Sequence, residues 1–260
     1  MIKKPITLAI CGALGRMGTR IADIAVQMPE TFTIIAAIDR LPSKDSAIPS
    51  GIVSDLPAEV DVLIDFSAPA ATRTMIASCV KHKIAMVIGT TGLTPADHAL
   101  IDEAAKVIPI LQATNTSLGV NVLLAIVAQT ARQLGASYDI EIVEAHHNQK
   151  KDSPSGTALS LAEAICQATG RNIGEALVHG RHGADTLRKA GSIGMHAVRM
   201  GDVVGEHTVY FATAGERIEV KHTANTRDTF ARGALRAAEY ISDKAPGRYT
   251  MRDVLGLAQI

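Results

Sequence analysis

The chain has 260 residues, a formal net charge of +0, 47% hydrophobic residues and 20% charged ones. That length allows a sizeable core in one large domain or two smaller ones, and the composition excludes a disordered chain. Neutral charge, 3% aromatic residues and no Trp argue against a nucleic-acid surface, which needs cations or stacking platforms.

Met1-Ile2-Lys3-Lys4-Pro5 leads into a short apolar run bounded by Gly12, too short for a signal peptide and lacking a cleavage site. No stretch approaches about 20 consecutive apolar residues, so no membrane span is expected. Cys11, Cys79 and Cys166 are odd in number, widely spaced and set among apolar residues. They read as buried thiols in a reducing compartment, and the expected location is cytoplasmic.

Residues 6–11 suit a parallel strand buried on both faces. Glycines 12, 15 and 18 follow, residues 19–26 read as helix, and 32–38 form a second apolar run ending at Asp39. Strand, glycine turn, helix, strand and acid is the dinucleotide-binding order. The turn Gly12-Ala13-Leu14-Gly15-Arg16-Met17 would let backbone and a helix N-terminus approach a pyrophosphate. Leu14 stands where the strict pattern has its second glycine. Asp39 is placed to accept from an adenine-ribose hydroxyl, and Arg40 offers a guanidinium to a 2′-phosphate. The pair predicts use of NADH and NADPH alike.

Apolar runs at 60–66, 85–88 and 108–111 end in the polar turns Ser67-Ala68-Pro69, Gly89-Thr90-Thr91-Gly92 and Ala113-Thr114-Asn115-Thr116. In a doubly wound sheet ligands bind beyond the carboxyl ends of strands, so these turns would line one crevice.

Residues 121–134 are apolar at helical spacing, and 138–145 alternate like a strand. The strand delivers Glu144-Ala145-His146-His147-Asn148-Gln149-Lys150-Lys151-Asp152-Ser153-Pro154-Ser155-Gly156-Thr157. Histidine exchanges protons nearest neutrality, so His146 is the candidate acid/base. His147 and Lys150 supply positive charge or donors. Gly156 and Thr157 present N–H groups and a hydroxyl where a helix N-terminus favours a carboxylate or phosphate.

Residues 158–168 read as helix with Gly170 as the C-terminal cap. Residues 174–194, rich in Gly, His and Arg, read as a long, mobile connection. Runs at 195–199, 205–212 and 217–223 alternate like antiparallel strands, 228–242 is helical, and 249–255 suggest a short capped turn. The edge of such an open sheet invites self-association. His179, His182, His196, His207 and His222 lack zinc-ligand spacing, so no metal is expected. Glu206-His207 reads as structural or interfacial.

The 144–158 run closely resembles the E-x-H-H-x-x-K-x-D-x-P-S-G-T-A signature of the dihydrodipicolinate reductases, enzymes of lysine and diaminopimelate biosynthesis. The likeness continues in order through the glycine turn, Asp65-Phe66-Ser67, Gly89 to Gly92, Asn115 to Asn121 and Gly201 to His207. It implies an α/β fold: a Rossmann-like dinucleotide-binding domain, residues 1–117 and 227–260, plus a second α+β domain. That second domain, residues 118–226, would carry substrate binding and oligomerisation on an open mixed or antiparallel sheet, within a homotetramer. The resemblance further implies that Gly89, Thr90, Thr91, Ala113, Thr114, Asn115 and Thr116 contact the ribose and nicotinamide of NADH or NADPH. Thr116 departs from the family pattern, where many members carry an aromatic residue.

By the same resemblance, His146 is the acid/base, Lys150 a second proton donor, and His147, Gly156 and Thr157 hold a carboxylate of a small dicarboxylate substrate. Lys151 is the weaker lysine candidate, being out of the family spacing. The implied reaction reduces the cyclic imine formed from 4-hydroxy-tetrahydrodipicolinate to tetrahydrodipicolinate. One rival is another two-domain NAD(P)-dependent amino-acid or aldehyde dehydrogenase; aldehyde chemistry would need a cysteine in a polar loop. The other, a non-catalytic nicotinamide-sensing regulator, would need a DNA-binding helix pair and a basic face.

Overall fold

The computed structural model describes residues 4–40, 50–51 and 55–257. Met1 to Lys3, read with the N-terminal run, and residues 258–260, read with the dinucleotide-binding domain, lie outside the described residues. The chain forms two compact units, one of residues up to Leu118 together with 227–256, the other of Gly119–Thr226.

The first unit is a parallel seven-stranded sheet. Its strands are β1 (Ile6–Cys11), β2 (Phe32–Ile38), β3 (Ser50–Gly51), β4 (Val62–Asp65), β5 (Ala85–Ile88), β6 (Pro109–Gln112) and β12 (Gly247–Tyr249). Their order is β12-β6-β5-β4-β1-β2-β3. Helices α1 (Arg16–Val26), α2 (Pro69–His82), α3 (Pro95–Ala105), α7 (Asp228–Ile241) and α8 (Met251–Val254) cover it. The period-2 alternation of β1 splits it between two cores: Leu8 and Ile10 pack with α1 and α7, while Ala9 and Cys11 pack with the core of α2 and α3. Both faces are dry, which is why these strands read as unbroken apolar runs.

α7 is fastened to this unit by close backbone approach. Thr116 Oγ1 donates to the Phe230 carbonyl at 2.7 Å, and a Cβ on Gly233 would fall 1.7 Å from the Thr116 carbonyl oxygen. Arg20 of α1 adds a two-pronged contact to Asp228, at 2.9 and 2.8 Å. The strand β12 is not legible in the sequence, where its three residues carry only Tyr249 as an apolar body.

The second unit contains α4 (Leu118–Leu134), a 3-10 turn (Gly135–Ser137), β7 (Asp139–His146), α5 (Gly156–Thr169), α6 (Ile173–Ala176), β8 (Leu177–His179), β9 (Ile193–Arg199), β10 (Gly205–Thr213) and β11 (Glu216–Ala224). Its sheet runs β11-β10-β7-β9-β8. Leu123 and Val127 of α4 and Leu161 and Ile165 of α5 pack on Ile140, Ile142, Val209 and Phe211.

Two expectations are corrected here. Residues 195–199 do not join an antiparallel run: β9 pairs parallel with β7 and with β8, and only β10 runs antiparallel to its neighbours β7 and β11. Alternation reports which face is buried and not which way the strand runs; the crossover through α5, α6 and β8 sets the direction. The 174–194 stretch is likewise not one loose connection, since it contains most of α6 and all of β8. Glu141 anchors the residues after β8, accepting from Arg181 at 3.0 and 2.8 Å and from Arg188 at 3.1 Å, with His196 Nε2 at 2.7 Å.

Gly233→Ala should destabilise the protein by about 3 kcal/mol, because backbone rather than a flexible side chain occupies the space; a melting point within about 2 °C of wild type would contradict this packing. Glu141 makes the second prediction. Burial pushes its carboxyl up, but hydrogen bonds from Arg181, His196 and Arg188 outweigh that and hold it at about 2. A depressed folded value stabilises fully above the ordinary range near pH 4.5 and is lost as pH falls toward 2. Wild-type urea midpoints should therefore fall across that window. Glu141→Gln should begin lower at neutral pH and change less on acidification.

Candidate active site

The glycine turn after β1 is built as a close backbone approach. Gly12 has φ +79°, and a Cβ there would lie 2.5 Å from the Phe66 carbonyl oxygen. A Cβ on Gly18 would lie 2.1 Å from the Gly12 carbonyl oxygen, so the third glycine lets α1 seat against the turn. Ala13 is buried, Leu14, Gly15 and Arg16 are exposed, and Met17 is half-buried against the core. Gly15 caps α1 without a side-chain hydrogen bond, and the first turn holds no acid. No acid of that first turn counters the N-terminal dipole.

Asp39 closes the same site. Its carboxylate accepts from the Leu14 N–H at 2.9 Å and from the Arg40 N–H at 2.7 Å. A cleft of about 560 Å³ opens beside it, lined by Gly12, Gly15, Asp39, Arg40, Ser67 and Met75 among others. Glycine turn, helix N-terminus without a side-chain cap, acid and guanidinium in one apolar-walled cleft fit a dinucleotide.

The turns after β4 and β5 are tied together around Asp65, a residue whose role no local pattern marks. Asp65 is fully buried and accepts from Ser67 N–H, Ser67 Oγ and Thr72 Oγ1 at 3.1, 2.5 and 2.5 Å. Burial pushes its carboxyl up against the pull of these bonds. Thr90 is also buried, and its hydroxyl accepts from the Ser67 N–H at 3.0 Å. Gly89 is small because the Phe66 ring fills the space a Cβ would take, 2.3 Å away. Thr91 and Thr114 are exposed, Ala113 packs against the core, and Asn115 turns back to accept from Ser117 N–H at 2.9 Å. Thr116 is 2% exposed and committed to α7, so its hydroxyl belongs to the packing rather than to the crevice. Burial, then the charge of Asp65, raises the Cys11 thiol to about 12; burial also raises Cys79 and Cys166. None of the three is a reactive thiolate.

In the second unit His146 is the last residue of β7, not part of the loop. Its Nδ1 lies 2.6 Å from Oε2 of Glu144, two residues earlier on the same face of the strand. Glu144 is fully buried. Its Oε1 accepts from the Ser155 N–H at 3.0 Å, and Arg199 spans both oxygens at 2.8 and 2.8 Å. Burial pushes the Glu144 carboxyl up, but the bonds from His146, Arg199 and Ser155 prevail and hold it at about 2. His207 sits beside His146, ring centroids 5.2 Å apart, with Nε2 3.1 Å from Ser155 Oγ; burial lowers it to about 4. It is a neutral wall residue at pH 7.

Ser155 caps α5 by accepting from the Ala158 N–H at 3.2 Å, which leaves Gly156 exposed and Thr157 half-buried at the helix start. His147 is half-buried. Lys150, held in a turn by its N–H on the His147 carbonyl at 3.1 Å, pairs with Asp152 at 2.9 Å, whereas Lys151 is exposed. Arg199 and Asp152 also meet, through Arg199 Nη2 on the Asp152 carbonyl at 2.7 Å. Sequence reasoning missed Arg199 altogether. It lies 55 residues from Glu144, and only the parallel pairing of β9 with β7 brings it alongside.

Residues 6–116 match the family described as dihydrodipicolinate reductase, N-terminus, and 119–255 match its C-terminus. A 4-hydroxy-tetrahydrodipicolinate reductase of Geobacter metallireducens is 46% identical, covering 97% of this chain and 99% of its own. One from Hahella chejuensis is 45% identical, covering 96% and 98%. Among solved structures, a dipicolinate-bound dihydrodipicolinate reductase from Paenisporosarcina sp. TG-14 has a TM-score of 0.73 at 22% identity, covering 95% of this chain and 97% of its own. Aspartate dehydrogenase of Thermotoga maritima shares the fold more distantly, with a TM-score of 0.53 at 13% identity and coverage of 94% and 99%. The chain belongs to the dihydrodipicolinate reductase family.

Proposed function

We propose that this chain reduces the cyclic imine dicarboxylate derived from 4-hydroxy-tetrahydrodipicolinate to tetrahydrodipicolinate, in lysine and diaminopimelate biosynthesis. It is an oxidoreductase that uses a pyridine nucleotide. The observation that carries the assignment of roles is the single carboxylate of Glu144, which holds both His146 and the Ser155 N–H at the head of α5. A proton-transfer group and an anion-binding helix start are thereby one rigid piece, as a small acidic substrate requires.

NADH or NADPH, when bound, supplies the hydride. Gly12, Ala13, Leu14, Gly15, Arg16 and Met17 form the turn that receives its pyrophosphate, and Asp39 and Arg40 its adenine ribose. Gly89 to Thr91 and Ala113 to Thr116 shape the crevice toward the nicotinamide. His147, the N–H of Gly156 and Thr157 hold a substrate carboxylate; Lys150 exchanges its Asp152 partner for the ligand and offers a second proton. His146 gives the proton at the ring carbon next to the one reduced. On this reading residues 1–117 and 227–260 are the dinucleotide-binding domain. Residues 118–226 bind substrate and assemble a cytoplasmic homotetramer.

His146→Gln should lower kcat about 10²–10⁴-fold with nicotinamide affinity nearly unchanged. In the same assay Lys150→Ala should cost about 2–5 kcal/mol of transition-state binding and Lys151→Ala no more than about 0.5 kcal/mol. Steady-state oxidation of NADH or NADPH with freshly generated substrate measures all three; damage at Lys151 with a normal Lys150 variant would overturn the register. Cofactor choice is tested separately. Arg40→Ala should weaken NADPH more than NADH, Asp39→Ala the reverse, by calorimetric titration; equal losses would remove the pair from the ribose site.

A further inference from the structure

The Glu144 carboxylate has two oxygens and about four lone-pair positions, and each is used. Oε2 takes His146 Nδ1 at 2.6 Å and Arg199 Nη1 at 2.8 Å; Oε1 takes the Ser155 N–H at 3.0 Å and Arg199 Nη2 at 2.8 Å. A saturated, fully buried carboxylate has no second orientation to adopt. Being ionised, it only accepts, so the His146 nitrogen facing it must carry hydrogen. The other nitrogen, Nε2, makes no hydrogen bond among the described residues. It faces Gly205, where an added Cβ would stand 3.1 Å away. Glu206 pairs with Ala145 across β10 and β7, so Gly205 and His146 follow at the end of that register, and a side chain on Gly205 would crowd Nε2.

We propose that Glu144 is the positioning residue of the proton-transfer step: it fixes His146 as the Nδ1–H tautomer and presents Nε2, over Gly205, as the atom that hands over the proton. Arg199 is the counter-charge that lets the carboxylate stay ionised in a dry site. In the step the Nε2–H bond breaks and a C–H bond forms on the substrate carbon made electron-rich by hydride addition. His146 is left neutral until water reprotonates it. This inference rests on His146 being the acid/base.

The test combines spectroscopy and variants on the full chain. In ¹⁵N-histidine-labelled wild type, the resonances lost in His146→Gln should show the Nδ1–H tautomer in the neutral form. An Nε2–H tautomer there overturns the proposal. Glu144→Gln cannot accept from both His146 and Ser155, and should lower kcat about 10²-fold with NADH affinity within about twofold of wild type. Glu144→Asp should recover at least about tenfold of that loss, which general destabilisation would not give. Gly205→Ala, at a backbone angle open to any residue, should crowd Nε2 and lower kcat about tenfold without loss of NADH affinity. Should Glu144→Gln not fold, the tautomer and Gly205→Ala decide: a wild-type kcat for Gly205→Ala counts against the proposal. A fully active Glu144→Gln beside an inactive His146→Gln sinks this inference alone. A fully active His146→Gln sinks the acid/base assignment itself.

Discussion

A buried carboxylate is costly unless every lone pair is met, and in the second unit that requirement organises the local structure. Glu144 meets it with donors from three places: the end of its own strand, the start of α5 and the far end of β9. Removing any one would leave part of a buried, charged carboxylate without a donor. The strand register of β7 on β9, the entry of the chain into α5 and the plane of the His146 ring are therefore set together. Arg199 also holds the Asp152 carbonyl, so the loop that carries Lys150 is tied to the same carboxylate.

The first unit solves a different problem, with backbone rather than charge. Gly12 and Gly18 exist because carbonyl oxygens occupy the space their side chains would need, and Asp39 reaches across from β2 to hold the Leu14 N–H. The result is a turn that ends beneath an uncapped helix with its shape already set. On the neighbouring strand β4, Asp65 has a similar fastening role. From inside the sheet it ties the Ser67 turn to Thr72 of α2, while the Thr90 hydroxyl bridges to the Ser67 N–H. In the polar turns after β5 and β6, the Thr90 and Thr116 side chains are buried and hydrogen-bonded within the unit.

Much of this is legible in residue order. The apolar runs of the first unit, the glycine spacing before α1, the acid after β2 and the run from Glu144 to Thr157 are local signals, and local signals survive in a single chain. The structure places Lys150 half-buried and Lys151 exposed, a difference that residue order does not show. The direction of β9 is not legible, because period-2 alternation is the same for a strand running either way. Nor is the anchoring of residues 180–192, where the composition suggests a mobile loop and Glu141, some forty positions earlier, supplies the partner.

By itself the sequence marked the candidates for chemistry: a glycine turn ahead of a helix, an acid–arginine pair at the end of the second strand and a histidine shortly before another helix start. Each is a short-range pattern whose physical meaning lies in neighbouring residues. Only the tertiary structure decided which groups surround that histidine. Arg199 and Gly205 carry no local mark of their roles, and Glu144 looks like one more letter of a motif until the sheet closes. Their roles come from contacts across strands, where one residue supplies a counter-charge, one supplies an empty volume and one supplies a saturated acceptor. Such contacts depend on register and crossover, which residue order does not state.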